Sequence, residues 1–349
     1  MTTPASPADA PEIRDGRVTR WGQFARPPAG LDPAAARWPV NGATLPAPLR
    51  RLRLKQWQHI GLVHPSAWIG FVVFDAGFLG VSFFTAAPWE EPELHLDIER
   101  RGAPWRARVA ENIHAGQCEA RWPGYVLRIH NDLRHARHRV DASIDGPRPV
   151  RIDLTLHQRF SEVDPLVVLH DLGSGQPFYT HKAPLAPEGM VQVGDRVYTF
   201  DPVRDTALLD EQKTAYPLKW WWRWATFAGT TTCGRRVVVN ACHNVLPDDE
   251  HHNENAVWVD GRLHRVGAVR FTFDADDPVR PWHIRSTDGR LKLVFRPLGE
   301  RVGDQRVGPL GARFRQPWGT FAGTVPDAGD GTMTLADGRG VCEQQDVIG

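Results

Sequence analysis

The sequence is poor in cysteine, in net charge, in long apolar runs and in helical periodicity, and each shortage removes a class of protein. Of its 349 residues 4 are cysteine. Cys118, Cys233, Cys242 and Cys342 follow no framework spacing, so reduced thiols are expected, not a disulfide scaffold. The 42 basic and 41 acidic residues leave a formal net charge of +1, without the one-sided basic excess of a nucleic-acid binder. Two short basic runs, Leu49 to Lys55 and Arg134 to Arg139, read as solvated strand faces. No stretch reaches the ~18 to 20 apolar residues that span a bilayer. The longest, Trp68 to Phe84, contains Asp75 and three glycines and reads as two buried strands around a turn. The opening "MTTPASPADAPEIRDGRVTR" lacks the apolar core of a secretory signal, and a cytoplasmic protein is the expectation. Also missing are GxSxG, a Gly-rich phosphate loop and a GxGxxG after a strand. Nothing therefore indicates a nucleotide cofactor or a serine hydrolase, and no cofactor is expected.

What the chain does have is tryptophan and turns. It carries 14 tryptophans against 4 tyrosines, with 32 glycines and 29 prolines in no periodic repeat. Alternation with period two runs through most of it. Ile152, Leu154 and Leu156 share one strand face, as do Tyr125, Leu127 and Ile129, then Val140, Ala142 and Ile144, then Val269, Phe271 and Phe273. Asp-Gly turns at Asp145-Gly146, Asp260-Gly261, Asp288-Gly289, Asp330-Gly331 and Asp337-Gly338 suit hairpins. One short helix is expected, from about Asp205 to Tyr216, ended by Pro217. The expectation is an all-β chain of two tandem antiparallel barrel or sandwich domains with little helix. An extended arm covers residues 1–47. A junction near Leu185 to Gly189, marked by two prolines, separates domains at 48–185 and 186–349. Each is long enough for roughly eight to ten strands.

The stretch "PLKWWWRWATFAGT" concentrates the aromatics. In a strand, Trp220, Trp222 and Trp224 fall on one face, with Trp221 and Arg223 on the other. The row suits a cavity wall. Its alternative is core packing with Arg223 stacked on Trp221. Trp224 to Thr230 matches Trp318 to Thr324 at six of seven positions. That predicts a matching strand in the same barrel, with the small Ala-Gly pair permitting close approach.

Three ionisable residues are candidates for chemistry. Glu254, in "NENAVWVDG", is expected to share a face with Trp258 and to be the leading acid or base. Asn253 and Asn255 would orient it or the substrate; an Asx-capped loop is the structural alternative. Asp210 precedes the tryptophans and would be a usable acid if desolvated beside them; otherwise it is a helix-surface carboxylate beside Glu211. His181 at the expected junction could shuttle protons or bond backbone as a linker residue. The segment from Cys233 to Glu254 is dense in Cys, His, Asp and Glu. It matches no ligand spacing, so it reads as an acidic loop, and no metal is expected.

An ordered set of motifs adds a resemblance. It comprises "HKAPLAPEGMVQVGDRVYTFDP", "ALLDEQKTAYPLKWWWRWATFAG", "NENAVWVDGRLHRVGAVRFTFD", "PWHIRSTDGRLKLVFRP" and "QPWGTFAGTV", with "RLKQWQHIG" near the amino terminus. In this order they resemble the bacterial family known as domain of unknown function 2804, itself distantly similar to carotenoid hydratases and tocopherol-cyclase-like proteins. That similarity implies two lipocalin-like (calycin-like) β domains. Trp57, in "RLKQWQHIG", is a further substrate-binding candidate. It transfers no catalytic residue. Where family members have a Gly-aromatic run, this chain has "EQKTAYPLKWWW", a departure at the expected pocket rim.

Three functions follow as alternatives. The first is a cofactor-independent acid–base enzyme of hydratase, isomerase or cyclase type. It would use Glu254, Asp210 or His181 on an apolar or amphipathic, isoprenoid-like small molecule. Trp57, Trp220, Trp222, Trp224, Arg223, Asn255 and Trp258 would hold that molecule. The second is a glycoside-cleaving enzyme with Asp210 and Glu254 as its pair. The third is a lipocalin-like carrier without catalysis.

Overall fold

The computed structural model describes residues 10–40, 42–307, 310–327, 329 and 331–348. The first nine residues of the arm, and Asp330 of the turn expected at Asp330-Gly331, lie outside them. The described chain is nearly all β. None of its helices is long and apolar enough to cross a membrane. It divides into two compact units, Met1–Ala86 with Leu96–Tyr216, and Ala87–His95 with Pro217–Gly349.

In the first unit fourteen antiparallel strands form one sheet among the described residues. Its main path begins with Ala107–Arg108, Gln117–Trp122, Tyr125–Asp132, Arg137–Ile144 and Val150–His157. It continues through Pro177–Val193, Thr206–Ala215, Leu54–His64, Ala67–Asp75 and Gly80–Pro88 to Leu96–Gly102. The alternating segments are strands whose apolar phase is buried, as in Tyr125–Asp132 and Val150–His157. The apolar run forms two buried strands, Ala67–Asp75 and Gly80–Pro88, as its composition predicts. Gly77 turns between them at φ 86°, and a Cβ there would lie 2.5 Å from the Arg51 carbonyl oxygen. The sheet curls on itself. Gln58 hydrogen-bonds Asn131 at 2.8 Å, although five strand steps separate them along the sheet, about 24 Å if it were flat. Part of the arm joins this unit. Gly22–Phe24 pairs with Leu166–Asp171, and Trp38 is buried against Leu54 and Ala215.

Two expectations are corrected here. The helix expected from Asp205 to Tyr216 is a strand, Thr206–Ala215, buried along its whole length. Burial on both faces removes the alternation that marks a strand. Its polar run is satisfied sideways by neighbouring strands, through Lys182–Asp210 and His181–Glu211 contacts. The division of units falls at Tyr216, not at Leu185–Gly189. One strand, Pro177–Val193, runs straight through that region. Its first half pairs with Thr206–Ala215 and its second half with Val150–His157. Pro184, Pro187 and Gly189 mark that exchange of partners. Gly189 sits at φ 122°, 2.2 Å from the Asp153 carbonyl oxygen when given a Cβ.

The second unit is a nine-stranded antiparallel sheet among the described residues. Its order is Arg262–Arg265, Ala256–Val259, Arg236–Asn244, Lys219–Thr231, Thr332–Ile348, Leu310–Pro326, Lys292–Val307, Trp282–Ser286 and Val269–Thr272. Val257 near one edge and Val269 at the other share one apolar cluster with Phe227 and Phe295, so this sheet also curls. The repeated motif occupies matching strands on either side of Thr332–Ile348. Phe227 pairs with Gly340 and Phe321 with Gly338, and the two rings stack at 4.3 Å. Close approach is what the small residues permit: a Cβ on Gly340 would lie 2.1 Å from the Thr226 carbonyl oxygen. Asp260 and Gly261 both have positive φ, 47° and 82°, as a type I′ turn requires. Asp337-Gly338 is no turn. It lies inside Thr332–Ile348 where the register shifts.

Candidate functional site

In Lys219–Thr231, Ala225 and Phe227 point into the apolar cluster. Alternation then sends Trp221 and Arg223 to that same face, and Trp220, Trp222 and Trp224 to the opposite one. Trp220 and Trp222 stack at 5.1 Å. Strand register brings Glu343 beside Trp224, and Asn244 beside Trp222. The Trp222 indole N–H donates to Glu343 Oε1, and the Gln316 amide donates to Oε2 at 2.8 Å. Glu254 is 4% exposed. Its Oε1 accepts from Asn244 Nδ2 at 2.9 Å. Trp224 Nε1 donates to Asn240 Oδ1 at 2.7 Å, and Asn240 Nδ2 donates to the Glu254 carbonyl at 2.6 Å. Trp224 thus steadies the loop that carries Glu254.

Asn255 is fully buried and ties this loop down. Its Oδ1 accepts from the Cys242 N–H at 2.6 Å, and its Nδ2 donates to the Gly267 carbonyl at 3.2 Å. Asn253 accepts from Arg265 Nη2 at 2.8 Å. Burial lowers the Arg265 pKa to about 10, and the Glu254 charge works against that fall. Trp258 is buried in the adjoining strand.

On the other face Arg223 lies over Trp221 at 5.5 Å, the stacking alternative drawn from the sequence. Trp221 meets His243 edge-on at 4.8 Å. These two rings, with Lys219, Asn244, Asp249 and Arg270, line an open cleft of about 520 Å³. Asp249 takes Arg270 at 2.6 Å. Burial, and then the Arg270 charge, lower the His243 pKa against the pull of Asp249. Among the described residues no group of three or more His, Cys, Asp or Glu side chains is arranged to hold a metal ion.

In the first unit Asp210 and His181 occupy opposite faces of the sheet. Asp210 Oδ1 accepts from Lys182 Nζ at 2.7 Å and Oδ2 from Trp57 Nε1 at 3.2 Å, and Trp57 stacks parallel to Tyr216. His181 is 0% exposed, its Nδ1 3.3 Å from Glu211. A chain of hydrogen bonds continues inward. His181 meets Gln158 at 2.9 Å, Gln158 meets His138 at 3.1 Å, and His138 meets Asn131 at 2.8 Å. Asn131 then meets Gln58, whose Oε1 accepts from Cys118 at 2.8 Å. Burial would raise the Glu211 pKa, but Lys213 and His181 together outweigh it and hold the carboxyl below its usual range. Burial pushes the His138 pKa down to about 4. Asn131 Oδ1 faces one ring nitrogen and Gln158 Oε1 the other.

The sequence expectation sets Asp210 beside Trp220, Trp222 and Trp224, but its indole partner is Trp57 of the first unit. Glu343, Gln316 and the inward chain through His138 are not among the residues singled out from the sequence.

The fold is thus an all-β chain of two curled sheets, each unit carrying buried carboxylates beside indole N–H donors. The chain belongs to the family described as Domain of unknown function (DUF2804), whose model matches residues 16–347. No curated protein matches it. Among solved structures it is similar to CghA with Sch210972, at 12% identity over 84% of this chain and 88% of that one, with a TM-score of 0.49. It is also similar to kievitone hydratase from Nectria haematococca, at 11% identity over the same shares, with a TM-score of 0.49.

Proposed function

We propose that the chain is an acid–base enzyme of the hydratase or cyclase kind, acting without an organic cofactor on an apolar or amphipathic small molecule. One observation carries the reading. Glu254 is buried at 4% exposure and is held through Asn244 and Asn240 to the strand that presents Trp220, Trp222 and Trp224 on one face. A carboxylic acid in such a place can protonate an alkene. The faces of neighbouring indoles stabilise the cation that forms. Water or an internal nucleophile then completes the reaction, and the carboxylate takes a proton back. Asn240, Asn244 and Asn255 act by position, fixing the loop on which the acid rides.

The test is proton delivery. Native protein is incubated in D₂O with a panel of isoprenoid and prenylated aromatic alkenes, and products are read by mass for one incorporated deuteron. Glu254→Gln keeps size and loses the proton. The expected loss is ~10²–10⁴-fold, with the unfolding midpoint little changed. A Glu254→Gln protein that labels substrate as fast as the native one refutes the assignment.

A further inference from the structure

The cleft of about 520 Å³ lies on the opposite face of the sheet from the Trp220, Trp222 and Trp224 row. Two of its liners, Trp221 and His243, belong to the core-facing phase of their strands, at the end where the apolar cluster stops. Trp221 and Arg223 precede Ala225 and Phe227 in that phase, and His243 follows Val237, Val239 and Ala241. The cleft is therefore the mouth of the curled sheet of this unit, a common place for ligands in such folds.

Its chemistry is selective. Trp221 offers a flat indole, and His243 closes one edge of it at 4.8 Å. That indole already carries the Arg223 guanidinium, 5.5 Å from the ring centre. A second cation stacked on Trp221 would meet the charge already there. Arg223 is held there by Asp346 at 2.9 Å and by the Gln345 carbonyl at 3.0 Å. Two further cations, Lys219 and Arg270, stand on the rim. Arg270 is engaged by Asp249, while Lys219 has no ion pair among the described residues. Burial and the Arg270 charge lower the His243 pKa, so this ring serves the cleft as a hydrogen-bond group and not as one of its cations. Cationic ligands are thus disfavoured, and a flat apolar body with an acidic head is favoured.

We propose that this mouth is a binding site for an anionic aromatic amphipath, a ring system bearing one carboxylate, sulfonate or phosphate. The ring lies on Trp221 against His243, and the acid group meets Lys219 at the rim. The proposal concerns binding and stands whether or not Glu254 is an acid catalyst.

Two probes that share a ring system decide it. 1-Anilinonaphthalene-8-sulfonate carries the acid group, and N-phenyl-1-naphthylamine lacks it. Binding is followed by energy transfer from tryptophan in the native chain and in three variants. The sulfonate should bind the native protein more tightly than the neutral probe, and the gap should shrink with added salt. Lys219→Gln should weaken the sulfonate by about two- to fivefold, as loss of one exposed ion pair does, and leave the neutral probe unchanged. Lys219→Glu should weaken it further. Trp221→Ala should weaken both probes. Equal affinity of the two probes for the native chain overturns the proposal. So does sulfonate binding that neither Lys219 variant alters, which would place the dye elsewhere. If Trp221→Ala fails to fold, the Lys219 variants, at an exposed position, still decide the outcome. Loss of deuteron transfer in Glu254→Gln with probe binding intact would leave this site standing.

Discussion

His138 makes the first unit sensitive to mild acid, and the size of the effect follows from its surroundings. The ring is fully buried between Asn131 and Gln158. Burial lowers its pKa from the ordinary 6.5 to about 4; His181 pushes the same way, while Glu211, Asp132 and the Gln158 bond oppose. The unfolded chain therefore binds a proton first as pH falls. Stability from this group is complete above about pH 7 and is lost progressively between about 6.5 and 4. Between pH 8 and pH 5 the loss is about 2 kcal/mol. Glu211, held below the usual carboxylate range, adds its own loss mainly at lower pH, as the unfolded carboxyl takes up a proton. His138→Gln keeps hydrogen-bonding groups and cannot titrate. The measurement is urea unfolding at pH 8 and pH 5, read by pulsed hydrogen exchange in Arg137–Ile144 so that the other unit does not contribute. Native protein should lose about 2 kcal/mol more than the variant. An identical loss in both would show that His138 does not titrate differently in the folded state.

Two further outcomes are expected. Gly340→Ala would place a Cβ 2.1 Å from the Thr226 carbonyl oxygen, whereas a Cβ on Gly303 meets nothing nearer than 3.7 Å; thermal unfolding should show a loss of about 1–3 kcal/mol for the first and little for the second. Lys182→Met would strip Asp210 of a partner 2.7 Å away, at a cost of about 3–5 kcal/mol in chemical denaturation, and the double change Lys182→Met with Asp210→Leu should recover part of it.

Much of the fold was legible because most strands bury one face, and a single buried face prints its period on the sequence. Where both faces are buried the print vanishes. Thr206–Ala215 has no exposed residue, so its polar centre, Asp210 to Lys213, imitated a helix surface. The misplaced junction has a related cause. Prolines and a glycine usually punctuate domains, yet at Pro184, Pro187 and Gly189 they let one strand exchange neighbours within a unit. On the site, alternation alone was enough to align Trp220, Trp222 and Trp224. Glu343 escaped because its meaning lies in register: it is beside Trp224 only once Thr332–Ile348 pairs with Lys219–Thr231.

The inward polar chain of the first unit also had a sequence signature, readable once the topology is known. Each member sits on the core phase of its strand, at the end of the apolar stripe. Cys118 precedes Ala120, Asn131 follows Ile129, and His138 precedes Val140. Gln158 follows Leu156, His181 precedes Ala183, Glu211 follows Leu209, and Gln58 precedes Ile60. Before and after alternate strictly along the sheet order. In an antiparallel sheet the start of one strand lies beside the end of the next, so alternation of that kind puts all seven side chains at one end of the curled sheet. The hydrogen bonds from Cys118 through Gln58, Asn131, His138, Gln158 and His181 to Glu211 join them there. A polar residue in the core phase of one strand signals little. The same departure at the matching end of seven consecutive strands requires a common partner, and the ring of side chains supplies it. Polar groups buried together in this way hold one another's desolvation cost down only while every member is bonded. The acid sensitivity expected of His138 is the consequence of adding a single proton to that ring.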